Sequence, residues 1–204
     1  MKRLTFLELG LMLVLSLPGG AALAQSEQGA VRKSPALHFI LRSPAVDGGG
    51  QLPKDYTGDG TSSTLPLEWN GAPKETKSFA IIMHHVAPDM IKWYWILYDI
   101  PAKVRRLPKN VKGVGKLGNN SVNGRVEYAP PHSKGPGPKT YIYTLYALSA
   151  PPKLAVPPIE VNRDALLAAM KGLVIDSAQL SVVYERFPAP DGREGNAPPP
   201  NDRP

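Results

Sequence analysis

The stretch Ser78-Phe79-Ala80-Ile81-Ile82-Met83-His84 decides the fold. It is a near-continuous apolar run, the pattern of a strand buried on both faces. The segments around it read the same way. Trp93-Tyr94-Trp95-Ile96-Leu97-Tyr98 is aromatic and β-branched, and Pro101 ends it. Strand alternation predicts that Trp93 and Trp95 share one face and leave Tyr94 on the other. Thr140-Tyr141-Ile142-Tyr143-Thr144-Leu145-Tyr146-Ala147-Leu148 is the clearest strand, Leu37 to Leu41 a short early one, and Leu180 to Tyr184 the last. Loops bearing Gly and Pro separate them, among them Asp47-Gly48-Gly49-Gly50 and Lys134-Gly135-Pro136-Gly137-Pro138. One helix is predicted. Asn162 caps it, Asp164 suits its first turn, Leu166, Leu167 and Met170 form a buried stripe, and it stops at Gly172 or runs on to about Ile175. Many strands with one late helix predict a mostly β sandwich. Trp69, Trp93 and Trp95 are read as core residues.

Composition agrees. The chain has 204 residues, 42% apolar and 20% charged, which suits one folded domain. With 23 Pro and 19 Gly it favours loops and strands over a helical bundle. Cysteine is absent, which excludes disulfides, a Cys–zinc site and a thiol nucleophile. The net charge of +7 points to acidic partners without naming one.

The two ends read differently from the middle. Lys2 and Arg3, the apolar stretch Leu9 to Leu17, and Ala22-Leu23-Ala24 have the form of a secretory signal peptide, residues 1–24, cut after Ala24. A periplasmic or secreted protein follows, with no stable membrane insertion. Residues 25–34 read as a flexible leader, 35–187 as the domain, and 188–204 as a disordered Pro-rich tail. No nucleic-acid recognition motif is present.

Chemistry-bearing clusters are few. His84 and His85 are adjacent on a strand, point to opposite faces, and so are not read as sharing a metal ion. No G-x-S-x-G turn offers a serine nucleophile, so the chain reads as no enzyme, with no cofactor. From Pro101 to Lys116, Lys103, Arg105, Arg106, Lys109, Lys112 and Lys116 stand without an acid. This reads as a solvated basic loop, or as a patch for an anionic surface or an acidic protein.

Read in order, the segments resemble the phosphatidylethanolamine-binding protein family, in its bacterial Raf-kinase-inhibitor-like branch. The resemblance is carried by Tyr56-Thr57-Gly58-Asp59-Gly60, Leu65-Pro66-Leu67-Glu68-Trp69-Asn70-Gly71-Ala72-Pro73, Lys77 to Ile82, Trp95 to Ala102, Tyr141 to Leu148 and Tyr184-Glu185-Arg186. It implies a large central antiparallel sheet packed on a smaller one, a late helix, and a surface pocket for anions such as phosphate groups. Onto the two acids and two histidines of that pocket the resemblance lays His85, Ala87, Tyr94 and Lys139. The family's Pro-Pro pair stands as Pro130-Pro131 after Tyr128, with Ala129 where Gly is usual.

Two carboxylates are lost and a fixed cation is gained. This predicts a site with no nearby acid that prefers a bare anion to a zwitterionic headgroup, with His85 adding a pH dependence. A decayed pocket is the competing reading. The expected function is non-enzymatic binding of a small phosphate-like group or phosphorylated headgroup, the alternative a protein–protein inhibitor or scaffold acting through the basic loop.

Overall fold

A computed structural model of the chain describes residues 38–133 and 137–186. The expected signal peptide, leader and tail, Leu37, and Lys134 to Pro136 lie outside the described residues. The elements are β1 (Ile40–Arg42), β2 (Leu67–Asn70), β3 (Ser78–Val86), β4 (Ile91–Pro101), β5 (Arg106–Leu107), β6 (Lys116–Leu117), β7 (Lys139–Leu148), α1 (Arg163–Ala169) and β8 (Val174–Tyr184). They form two sheets, β1-β2-β5 and β6-β4-β3-β7-β8, every neighbouring pair antiparallel. The protein is a mostly β sandwich.

The central place of β3 follows from its composition. Phe79, Ile81 and Met83 face one apolar cluster with Leu41, Leu67 and Trp69 of the smaller sheet. Ala80 and Ile82 face a second cluster with Leu166 and Met170 of the helical segment. A strand covered on both sides has no use for alternation, and each fully buried Ile or Leu contributes roughly 1.5–3 kcal/mol of transfer free energy.

Two β-bulges break the register of β3 with β4. Met83 pairs with Trp95 and His84 with Trp93, so Tyr94 is an extra residue. It joins Trp95 in the first cluster, while Trp93 packs against the second. The predicted grouping of Trp93 with Trp95 is therefore wrong, because simple alternation does not survive an inserted residue. The second bulge surrounds Asp99, which adopts φ 56°.

The helix ends at Ala169 rather than running on to Ile175. Asn162 caps it, accepting from the Ala165 amide at 2.8 Å. Leu166 and Met170 are fully buried and Leu167 is partly so. Gly172, at φ 76°, turns the chain into β8, which starts six residues earlier than predicted. Against the outer side of β8 the Gly-rich loop makes a strap: Gly49 donates to Ser181 O at 2.7 Å and Leu52 to Val183 O at 2.7 Å. This covers part of an otherwise open strand edge.

Candidate functional site

The residues assigned by resemblance gather at one end of the large sheet, on its first-cluster face. His85 is the last core-facing position of β3. Its Nδ1 lies 2.9 Å from Thr140 O, and its ring sits 5.5 Å from that of Tyr141. The bulge turns Tyr94 toward the same place, edge-on to Tyr141 at 5.1 Å. Lys139 stands two residues before Tyr141, hence on the same face, with Tyr184 as its register partner on β8. Pro130 and Pro131 follow Ala129, whose amide donates to Tyr94 O at 2.8 Å. Ala87 is different. It lies beyond β3 in the turn to β4, where its amide donates to Met90 O at 2.9 Å. Tyr128 is turned toward the β4–β6 side, its ring 5.8 Å from Trp95 and its hydroxyl donating to Tyr56 O at 3.2 Å.

An acid stands here after all. Asp59 accepts a short hydrogen bond from Tyr184 Oη, lies 3.2 Å from Arg186 Nε, and lies 3.5 Å from His132 Nδ1. Its side chain is only 14% exposed. The expectation of a site without a nearby acid fails because the carboxylate comes from a distant loop rather than from the strand end. That loop is built locally. Thr57 Oγ1 accepts from the Asp59 amide at 3.2 Å and donates to Lys54 O at 2.8 Å. Gly58 donates to Pro131 O at 2.8 Å. A Cβ on Gly58 would sit 2.8 Å from His132 Nδ1, so the close approach of the two loops requires glycine. Asp59, His132, Tyr184 and Arg186 were not singled out from sequence as site residues. The only signal was that Asp59 and the Tyr184-Glu185-Arg186 piece both sat within segments carrying the resemblance.

Beneath this cluster is a floor of phenols. The Tyr141 and Tyr143 hydroxyls are buried without a hydrogen-bond partner. Burial pushes both far above the usual phenol value, and neighbouring phenols add to it. Burial likewise raises Tyr94 and Tyr128, and burial followed by the Asp59 contact raises Tyr184. These groups therefore stay protonated at neutral pH; the Tyr184 and Tyr128 hydroxyls already donate, to Asp59 and to Tyr56 O, which leaves Tyr94 and Tyr141 as the phenol donors on this face. Lys139 and Arg186 set against Asp59 leave one positive charge among these three groups. The arrangement can hold an anion by charge and by hydrogen-bond donation. His84 points the other way, toward the helical side. Its imidazole is pushed below its ordinary value by burial first, then by Arg163 and His85.

A profile of the phosphatidylethanolamine-binding protein family matches residues 42–185. The chain belongs to this family. Among relatives of this phosphatidylethanolamine-binding family chain, a UPF0098 protein of Methanothermobacter thermautotrophicus is 33% identical over 151 residues, 72% of this chain and 98% of the relative. One from Aquifex aeolicus is 35% identical over 152 residues, 71% and 86%. The solved structure of the family homolog CT736 from Chlamydia trachomatis superposes with a TM-score of 0.68 at 27% identity, covering 74% of this chain and 99% of that one. Escherichia coli YbcL does so at 0.66 and 25%, covering 73% and 99%.

The basic segment of this family member is less bare than its sequence suggests, and it is not all loop. It contains β5 and the first residue of β6. All six basic side chains are exposed. Lys116 lies 2.9 Å from Asp99, whose carboxylate holds the ammonium above its ordinary value, and Lys109 lies 3.4 Å from Asp55. Arg106 stands opposite Glu68 in the sheet register. Arg105 donates to the Ala102 and Val104 carbonyls, and its guanidinium lies 5.6 Å from the centre of the Phe79 ring. Among the described residues no helix is long and apolar enough to cross a membrane.

Proposed function

We propose that this chain is an exported, non-enzymatic binding protein whose site at the sheet end takes a small phosphate-like anion. The observation that carries the reading is Lys139, which has no acid partner among the described residues, on the face that also presents the Tyr94 and Tyr141 phenols. A charge-assisted hydrogen bond from Lys139 to an incoming anion contributes about 1.5–3 kcal/mol. Lys139 supplies the fixed charge, and Tyr94 and His85 border the entry.

Phosphate or a phosphomonoester binds better than phosphoethanolamine in this reading. The Asp59 carboxylate, which could meet an ammonium, already serves Arg186, Tyr184 and His132. Calorimetry with inorganic phosphate and with phosphoethanolamine, on wild type and Lys139→Ala, tests this. The expected loss is about 1–3 kcal/mol of phosphate binding in the variant. Equal or tighter binding of phosphoethanolamine, or no effect of Lys139→Ala, refutes it.

Export rests on the signal-peptide pattern of residues 1–24. Intact mass of protein from the periplasm or medium should give a chain starting at Gln25, and a membrane-bound chain retaining Met1 would overturn it.

A further inference from the structure

On the β4–β6 side of the sandwich lies a cleft of about 360 Å³. Of the residues that the resemblance associates with the anion pocket, it contains only Tyr128. Its walls are Trp95, Leu97, Val111, Val114, Leu117 and Tyr128, all apolar in body. Thr64 and Lys112 are the polar side chains that reach it. The volume falls in the roughly 300–1,000 Å³ range of small-molecule sites.

The cleft is held open by construction. Its roof is the segment 110–115. At one end Asn110 and Thr64 clasp each other: the Thr64 amide donates to Asn110 Oδ1 at 3.0 Å, and the Asn110 amide donates to Thr64 Oγ1 at 2.8 Å. At the other end β6 pairs with β4 through Leu97 and Leu117, and Lys116 is tied to Asp99. Between them Gly113 and Gly115 stand at φ 72° and 69°. A Cβ at Gly115 would come within 2.6 Å of Tyr98 O, so the roof passes close over β4. A segment clasped at both ends keeps its arch rather than collapsing onto Trp95. The floor is rigid too, because Trp95 is only 1% exposed and sits edge-on to Tyr128.

We propose that this cleft is a second binding site, for an anionic amphiphile consisting of one aromatic or branched apolar body with a single carboxylate or sulfonate. The six apolar walls call for the body. Lys112 calls for the acid: it is exposed, borders the cleft and has no ion-pair partner among the described residues. Its alkyl stem extends the apolar wall while its ammonium stays in water at the mouth. A neutral apolar ligand leaves that charge unused, and a cationic one is repelled. A doubly charged phosphate without an apolar body has nothing to bury.

Naphthoate is the probe. Calorimetry on the full-length protein should give saturable, one-to-one binding. Lys112→Met, which keeps the stem and removes the charge, should weaken it about tenfold. Naphthalene methanol, the neutral analogue, should bind wild type and Lys112→Met equally. Val114→Phe should fill the cleft and abolish binding, and if that variant melts early, Lys112→Met with the neutral analogue decides alone. Lys139→Ala and saturating inorganic phosphate should leave naphthoate affinity unchanged, which separates this site from the anion site. Absence of saturable binding, competition by phosphate, or wild-type affinity in Lys112→Met would overturn the proposal.

Discussion

Asp59→Asn should lower stability and raise anion affinity together. Asparagine keeps the shape and one acceptor but removes the charge that Tyr184 and Arg186 address. Hydrogen bonds to charged groups contribute about 1.5–3 kcal/mol each. Arg186 and His132 are each 36% exposed, so their share is screened, and the net cost should be about 1–2 kcal/mol. For binding, an anion at this end of the sheet faces the Asp59 carboxylate. At an effective dielectric constant of about 20, two unit charges on the order of 7 Å apart repel by about 2.4 kcal/mol. Arg186, at 3.2 Å from Asp59, offsets more than half of it. What remains is about 1 kcal/mol, an affinity gain of about fivefold for the variant. Thermal melts and calorimetry with inorganic phosphate read the two effects separately. Weaker phosphate binding by a folded Asp59→Asn protein would refute the reasoning, because Asp59 would then be positioning the ligand rather than opposing it.

Gly58→Ala should cost about 1–3 kcal/mol, since its Cβ meets His132 Nδ1 at 2.8 Å and His132 Cβ at 3.2 Å; combining it with His132→Ala should recover most of the loss, and simple additivity in thermal melts would contradict the clash. Asn162→Ala should destabilise by about 1 kcal/mol through the lost cap on the Ala165 amide, read by urea denaturation. His84 favours its neutral form when folded, so its folded pKa lies below the unfolded 6.5, and the stability it lends is lost as pH falls from about 6.5 through the depressed value. His84→Gln should therefore lose less stability between about pH 7.5 and about pH 5 than wild type, and an identical decline would refute the assignment.

What was legible from sequence follows the range of the forces involved. β3 and β7 declared themselves because both of their faces are apolar or aromatic, a local property. Asn162 did so because a cap acts within three residues. The first half of β8 was missed because Val174 to Ser177 are exposed and include Asp176, so nothing in their pattern marks a strand; pairing with β7 decides it. The face of Trp93 was missed because a bulge is a choice of register between two strands, invisible in either alone. Asp59 was missed as a site residue for the same reason at longer range. Its partners are His132, Tyr184 and Arg186, and no periodicity in the loop Tyr56 to Gly60 points to them.

The strap and the Asp59 cluster together set when this end of the sheet is completed during folding. Tyr184 closes on Asp59 across 125 residues of chain, and Gly49 and Leu52 close on Ser181 and Val183 over a similar span. Such closures come late in folding, because the loop entropy is spent before the contact forms. Chains leave the ribosome N-terminus first. The carboxylate of Asp59 emerges early and waits, solvated, while β3, β4 and β7 assemble. Only when the last strand arrives do the strap and Arg186 find their places. A nascent chain that stops short of Tyr184 lacks both the partner of Asp59 and the strand edge that the strap covers, so this end of the sheet is assembled last.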